Sequence, residues 1–371
     1  MALEFLEVFG EVPDPRDFTS QHRLPEILFV ALAAVLCGAN HCTEMALFAK
    51  SRLDLLRQFV PLEKGAPSHD TFSRVLGVLD PAAFDQAFMR FMSAFGEEAR
   101  RERRTGQLAV DGKSLRRAYA KGCAHVPPLV VTVLDCDTFM SLSQRVAQKG
   151  GEAEAAIKAL ELLSLKGCTV TADALHCHRR MTRTIRERGG HYVIAIKGNQ
   201  SKLSAEANAA LDAAAASGRA KCHQTEDQAH GRHEVRRAFV IPFAQTPGKN
   251  ALVDLIAVAR IESWRTINGK TSHTLRCYAL SRQMSAEKLL NTVRRHWAIE
   301  NQLHWQLDVL LAEDLARSRN NNAPANLAIL RRLALNTLRA DPEKILTVGV
   351  SEPKSGCFSA TSIKLGEFMT L

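Results

Sequence analysis

Between residues 107 and 216 the hydrophobic period of the chain switches repeatedly between two and 3.6, and that alternation narrows the fold more than any other feature. Residues 107–110 give a short apolar strand signal that runs into Asp111-Gly112. Residues 129–134 form a near-continuous β-branched run, as in a strand buried on both faces. Residues 138–146 can continue as its hairpin partner. A helix is expected over 152–165, then a strand over 169–171 that ends at Asp173. A second helix is expected over 178–188, closed by Gly189-Gly190. A strand at 192–196 and an Ala-rich helix at 202–216 complete the series. Strands alternating with helices imply an α/β sheet.

On either side the pattern changes. Residues 1–98 read as helical. Pro25 and Glu26 open the first long helix, and Gly38 follows its apolar run. A second helix is expected over 44–59. Ser68 or Asp70 can cap a third, which runs through Leu79, and a fourth follows Asp80-Pro81 to about Phe95. Thr71, Ser73 and Arg74 would then lie on the reading helix of a helix-turn-helix, the alternative being an ordinary helical bundle. Beyond 222, strands are expected at 223–228, 234–241, 252–261 and 271–280. Ile267-Asn268-Gly269-Lys270 is a strong hairpin signal. Helix returns at 286–312 and 325–338.

The chain has 371 residues, a formal net charge of +10 and 46% hydrophobic residues. That is enough apolar surface for a sizeable core, and the basic excess suits a polyanionic partner such as nucleic acid. The nine cysteines are scattered with no Cys-x-x-Cys pair, which fits a reducing cytosol and excludes a disulfide framework. His176-Cys177-His178 is too tight a cluster to serve as a zinc site. No apolar run is long enough for a membrane span, and no signal peptide is expected.

Three carboxylates carry the chemistry. Asp111 and Asp173 each follow an apolar strand, the place where open α/β sheets build their sites. Glu300 lies in HWAIENQLHWQLDV, residues 296–309. On a regular helix Trp297, Glu300, His304, Asp308 and Leu311 would share one face. A carboxylate on an apolar face is costly unless it is paired or binds a metal. Three together need cations, and Mg²⁺ suits such oxygen donors. Asp135 and Asp137 also follow a strand but read as a hairpin. Glu313 and Asp314 read as a solvated helix edge.

VDGKSLRRA, TADALHCHRR, YVIAIKGNQ, HGRHEVRR and RRHWAIENQLHWQLDVLLAED together resemble the signatures of DDE-type insertion-sequence transposases, in the group that includes the H-repeat proteins associated with Rhs elements. The resemblance runs from about Asp14 to Leu338 and takes in DPRDFTSQHRLPEILFVALAAVLCGA. It implies an α/β, RNase H-like catalytic core over 99–340, with a β-strand insertion at about 222–280 before the last acidic helix. An all-helical N-terminal domain, 1–98, would precede it. Asp111, Asp173 and Glu300 would be the catalytic acids and would bind Mg²⁺ or Mn²⁺, as two ions. His304 and Asp308 would orient Glu300 or the ions. The partner would be double-stranded DNA, as element ends and as target, with a homodimer assembled on paired ends in the bacterial cytosol. Lys113, Arg116, Arg117, Arg179, Arg180, Lys197, Arg232, Arg236 and Arg237 would contact phosphates. Asn199 and Gln200, at the end of a strand, could touch DNA or cap the helix that follows them, and the cap is the favoured reading.

The chain also departs from the pattern. His296 and Leu307 stand where related groups place Arg and Lys, so Arg294, Arg295 or Arg317 would have to supply that charge. Residues 341–371 form a divergent tail. A metal-dependent nuclease on the same fold and a non-catalytic DNA-binding remnant of a decayed element are the alternative readings.

Overall fold

The computed structural model describes residues 2–17, 20–101, 106–118, 127–147, 150–229 and 231–340, with side chains omitted for 94–101. The tail at 341–371 and the side chains of the basic cluster at 100–104 lie outside the described residues.

Six helices open the chain: α1 (Ala2–Gly10), α2 (Leu24–Leu36), α3 (Cys42–Ser51), α4 (Leu53–Leu56), α5 (His69–Val78) and α6 (Pro81–Arg101). The single helix expected over 44–59 is split at Arg52, whose backbone leaves the helical region. Ser68 caps α5 as expected, its Oγ accepting from the Thr71 backbone N–H at 3.2 Å. Phe5, Phe9, Phe84, Phe88 and Phe91 interlock between α1 and α6 with almost no exposure. Each such ring stabilises the fold by roughly 2–3 kcal/mol through removal from water.

Among the described residues the strands form one nine-stranded sheet. They are β1 (Gln107–Ser114), β2 (Leu129–Asp135), β3 (Ser141–Ala147), β4 (Thr169–Ala172), β5 (His191–Ile196), β6 (Cys222–Ala229), β7 (Arg232–Pro242), β8 (Ala257–Ile267) and β9 (Lys270–Leu280). Their order is β3-β2-β1-β4-β5-β9-β8-β7-β6. β1, β4 and β5 run parallel, and every other pairing is antiparallel. The strands beyond 222 therefore extend the same sheet, docked by β9 on β5. The hairpin expected between β8 and β9 forms with Asn268 and Gly269 both at positive φ (48° and 73°), which only Gly and Asn adopt readily.

The remaining helices are α7 (Glu152–Leu160), α8 (Arg179–Glu187), α9 (Ser201–Ala216), α10 (Ala286–His296), α11 (Trp305–Val309) and α12 (Ala323–Ala340). α7, α8 and α9 cover one face of the sheet, against Leu108, Val110, Val170 and Ile194. On the other face α10 packs its Leu289 and Leu290 against β5, β8 and β9. There too, Ala109 and Leu134 join one core with α12, Ile299, Leu303, Leu307 and the N-terminal helices. The first hundred residues thus share their core with the sheet. Asn326 of α12, with no measurable exposure, ties α5 to the rest by donating to the carbonyls of Leu76 and Leu79. Among the described residues no helix is long and apolar enough to cross a membrane.

Candidate active site

The parallel register of β1 on β4 pairs Val110 with Ala172, so Asp111 and Asp173 come next to each other on adjoining strands. Neighbouring strands lie about 4.8 Å apart. Asp111 falls inside β1, which continues to Ser114, whereas the sequence suggested a strand ending before it. The continuation comes from antiparallel pairing with β2, where Asp111 sits opposite Thr132. Asp173 does follow its strand. Its carboxylate caps a single 3-10 turn (Ala174–His176) by accepting from the Leu175 N–H at 2.9 Å.

Glu300 arrives from a distorted helix. The chain from Ala286 to Val309 breaks into α10, a π-helical turn (Ile299–His304) and α11, where one continuous helix was expected. A π turn spaces its hydrogen bonds i to i+5, is rare, and is frequent at functional sites. The apolar row that packs into the core is Ile299, Leu303, Leu307 and Leu311, each at most 5% exposed. The polar row Glu300, His304, Asp308 runs beside it, so the apolar face does not have to absorb Glu300. His304 reaches Asp111, its Nδ1 lying 3.8 Å from Oδ2. Asp308 turns elsewhere, to the Lys113 ammonium at 2.8 Å.

The electrostatics show how concentrated the acids are. Burial pushes the Asp111 carboxyl up to about 7, and the charges of Asp173, Glu300 and Glu152 push the same way, against a backbone hydrogen bond from Gly112. The partial desolvation of Glu300 raises its carboxyl too, opposed by Arg276. Burial drives His304 down to about 3 and His296 down to about 4, so both are neutral at pH 7 and offer these acids no cation. Asp135 and Asp137 turn the chain between β2 and β3 at the opposite edge, Asp135 pairing with Leu108. Asp137 accepts from the Gly106 N–H at 3.0 Å and meets Arg295, as a structural hairpin should.

A sequence profile described as "Transposase DDE domain" matches residues 102–337, and one described as "DDE_Tnp_1-associated" matches residues 6–92. The chain belongs to the transposase DDE family. An Escherichia coli K12 protein named "H repeat-associated putative transposase YhhI" is 28% identical over 356 residues, 94% of this chain and 93% of that one. A Xanthobacter autotrophicus protein named "Uncharacterized protein in dhlA 3'region" is 37% identical over 282 residues, 74% of this chain and 92% of that one. A piggyBac transposase synaptic complex with hairpin DNA aligns with 99% of this chain and 76% of its own at a TM-score of 0.45 and 10% identity, too slight a likeness to bear on the fold.

For a family member, the donor set suits divalent cations. The acids are hard oxygen donors, and Asp111 is raised by burial and then by the negative charges around it, which a cation would offset. Among the described residues no three His, Cys, Asp or Glu side chains converge closely enough to hold an ion as they stand. Asp111, Asp173 and Glu300 are the residues that would close around one.

The basic residues expected at DNA divide into two sets. Lys113 is buried, held by Asp308 at 2.8 Å, Asp314 at 2.9 Å and Glu313 at 3.8 Å, so it braces the fold instead of meeting phosphate. Glu313 and Asp314 are correspondingly no solvated edge. The chain leaves the helix at Ala312, with φ of 47°, and folds Glu313 inward onto Arg332 at 2.8 Å. Arg236 is likewise tied, to Asp227 at 2.9 Å and Glu234 at 2.7 Å. Arg179 spends a donor on the Ala251 carbonyl, Arg180 pairs with Glu154, and Arg295 meets Asp137. Arg237 lies over the Trp264 ring.

Lys197, Arg116, Arg117 and Arg317 are exposed, and Arg232 and Arg294 keep about half of their side chains in solvent. Lys197 follows β5 at the same edge as Asp111 and Asp173. Asn199 and Gln200 do not cap α9. They donate to the carbonyls of Ala174 and Cys177 and so brace the loop behind Asp173. Two residues near the acids carried no sequence signal. Arg276 of β9 lies over Trp297 at 5.1 Å and acts on Glu300, providing charge where His296 does not. Glu152, the first residue of α7, reaches β1 beside Asp111.

Proposed function

We propose that this protein binds the ends of an insertion sequence and catalyses metal-dependent cleavage and strand transfer of DNA, with Asp111, Asp173 and Glu300 as the catalytic acids. The observation that carries the reading is the β1–β4 register, which sets Asp111 against Asp173 on the edge that Glu300 faces from the opposite layer. Strands β3-β2-β1-β4-β5, with β1, β4 and β5 parallel, serve as the RNase H-like core, and β6 to β9 as its insertion.

Asp111, Asp173 and Glu300 would hold two Mg²⁺ or Mn²⁺ ions, which when bound activate the attacking hydroxyl and stabilise the leaving oxygen. The residues themselves do the rest. The β1–β4 pair sets the backbones of Asp111 and Asp173 on adjoining strands, which limits the reorganisation left for the reaction. Neutral His304 stands behind Asp111 without competing for its charge. The Arg276 charge favours the ionised form of Glu300 against its desolvation. Lys113, Asp308, Asp314, Glu313 and Arg332 lock the distorted helix to β1 and α12, which fixes the height of Glu300 above the sheet. Lys197, Arg116, Arg117, Arg232 and Arg294 contact DNA phosphates, and two copies act on paired ends.

The test is nicking and joining of DNA that carries the element's ends, in Mg²⁺ and in Mn²⁺, with Glu300→Gln beside the parent. The parent should cut only with metal, and the variant should bind the ends but not cut. A parent that binds the ends and never cuts in either metal overturns the catalytic reading in favour of a DNA-binding remnant.

A further inference from the structure

Glu152 meets the site from the face opposite Glu300. It begins α7, on the layer that covers Leu108 and Val110, and its carboxylate lies over β1 where Gly112 has no side chain. A Cβ at Gly112 would come within 2.5 Å of Glu152 Oε1. Gly112 has an ordinary negative-φ backbone, so the turn there does not call for glycine. What glycine provides is space for that carboxylate, next to Asp111.

A second observation points into the same space. His176 has no measurable exposure, and neither ring nitrogen has a hydrogen-bond partner. Its Nε2 stands 3.9 Å from Asp173 Oδ1 and 3.9 Å from Glu152 Oε1. Both separations are too long for a hydrogen bond and suit a small group held between the three side chains. Leaving a buried imidazole without a partner is costly, so one aimed between two carboxylates calls for an occupant. α7 also carries Glu154, which is spent on Arg180 at the surface. Glu152 has no such outlet: His176 is the one basic side chain paired with it among the described residues.

We propose that Glu152 is a fourth carboxylate ligand for the divalent cations of this site and that Gly112 is the opening through which it reaches them. This rests on the proposed metal-dependent function and adds a ligand to it. Asp111 and Asp173 are then approached from both layers, by Glu300 on one side and Glu152 on the other.

Mn²⁺ binding to the full-length chain without DNA, followed by calorimetry and by the free-ion electron paramagnetic resonance signal, tests it. Glu152→Gln, Gly112→Ala and Asp111→Asn are compared with the parent and with Glu154→Gln, and thermal unfolding reports whether each variant folds. Gly112→Ala reaches the contact from the other side, displacing the flexible end of Glu152 and pressing on Leu129 Cδ2 at 3.3 Å. Glu152→Gln and Gly112→Ala should each weaken binding about tenfold or more, Glu152→Asp should recover part of the loss, and Glu154→Gln should match the parent. Parent-like binding in Glu152→Gln with binding lost in Asp111→Asn overturns the role of Glu152 and leaves the three-acid site standing. Parent-like binding in Asp111→Asn, or none in the parent, overturns both.

Discussion

β1 carries two acidic clusters two residues apart, and they are built in opposite ways. Around Lys113 the acids Asp308, Glu313 and Asp314 are balanced by buried Lys113 and Arg332 and, at the rim, by Arg116. Around Asp111 the acids Asp173, Glu300 and Glu152 are met mainly by backbone N–H groups and by histidines that burial keeps neutral, with Arg276 beside Glu300 as the partial exception. A balanced cluster is a rivet. An unbalanced one costs stability in the metal-free protein and is retained only where something else supplies the charge. On the proposed function, the acids that do chemistry are those the fold leaves without cations.

The largest effect should come from unbalancing the rivet. Arg332 and Glu313 have fully buried side chains, so Arg332→Met removes the close partner of a buried carboxylate, leaving it the Lys113 ammonium at 3.8 Å, and should cost about 3–5 kcal/mol in chemical denaturation. Adding Glu313→Gln to it should recover much of that loss. A single variant as stable as the parent would end the distinction drawn between the clusters.

Acid should expose the neutral histidines next. His296 shares a 3.0 Å hydrogen bond with Thr171 Oγ1, and burial takes it down to about 4. Its folded-state value lies below the unfolded one, near 6.5, so the unfolded chain takes up the proton first. The stabilisation is whole above about pH 6.5 and is lost as the pH falls toward 4, by up to about 3 kcal/mol. Unfolding measured across that window should be flatter for His296→Gln than for the parent. Equal slopes would mean that His296 is not held neutral.

Relieving the unbalanced cluster should act with the opposite sign. Asp111→Asn removes a carboxylate that is desolvated by burial and repelled by its neighbours, and should stabilise the metal-free protein by about 1 kcal/mol. Added Mg²⁺ should raise the Tm of the parent and not that of the variant. A destabilised variant would place Asp111 among the structural acids. The smallest effect belongs to the rim: Arg116, with 78% of its side chain exposed, should lose no more than about 0.5 kcal/mol on replacement by Ala. A larger loss would show that the rivet reaches the surface.

Much of the frame is local and was therefore legible. The alternation of β-branched runs with helical stretches announces the mixed sheet, the Ser68 cap fixes the start of α5, and Asn268-Gly269 fixes the turn between β8 and β9. These signals work because caps, turns and periods act over a few residues. Asp111 and Asp173 were visible for the same reason, each tied to an apolar strand of its own.

What the sequence by itself determined is a helical first quarter, an α/β sheet, and two aspartates placed to share an edge. Only the tertiary structure decided which charges are spent. Lys113 reads as a phosphate contact beside Asp111, until a residue 201 positions away, Asp314, closes on it. Glu152 reads as an ordinary helix start, until β1 brings Gly112 beneath it. Periodicity specifies which face a side chain occupies. Whether its charge is paired depends on what folding brings to that face from a distant stretch of chain, and no local pattern records it.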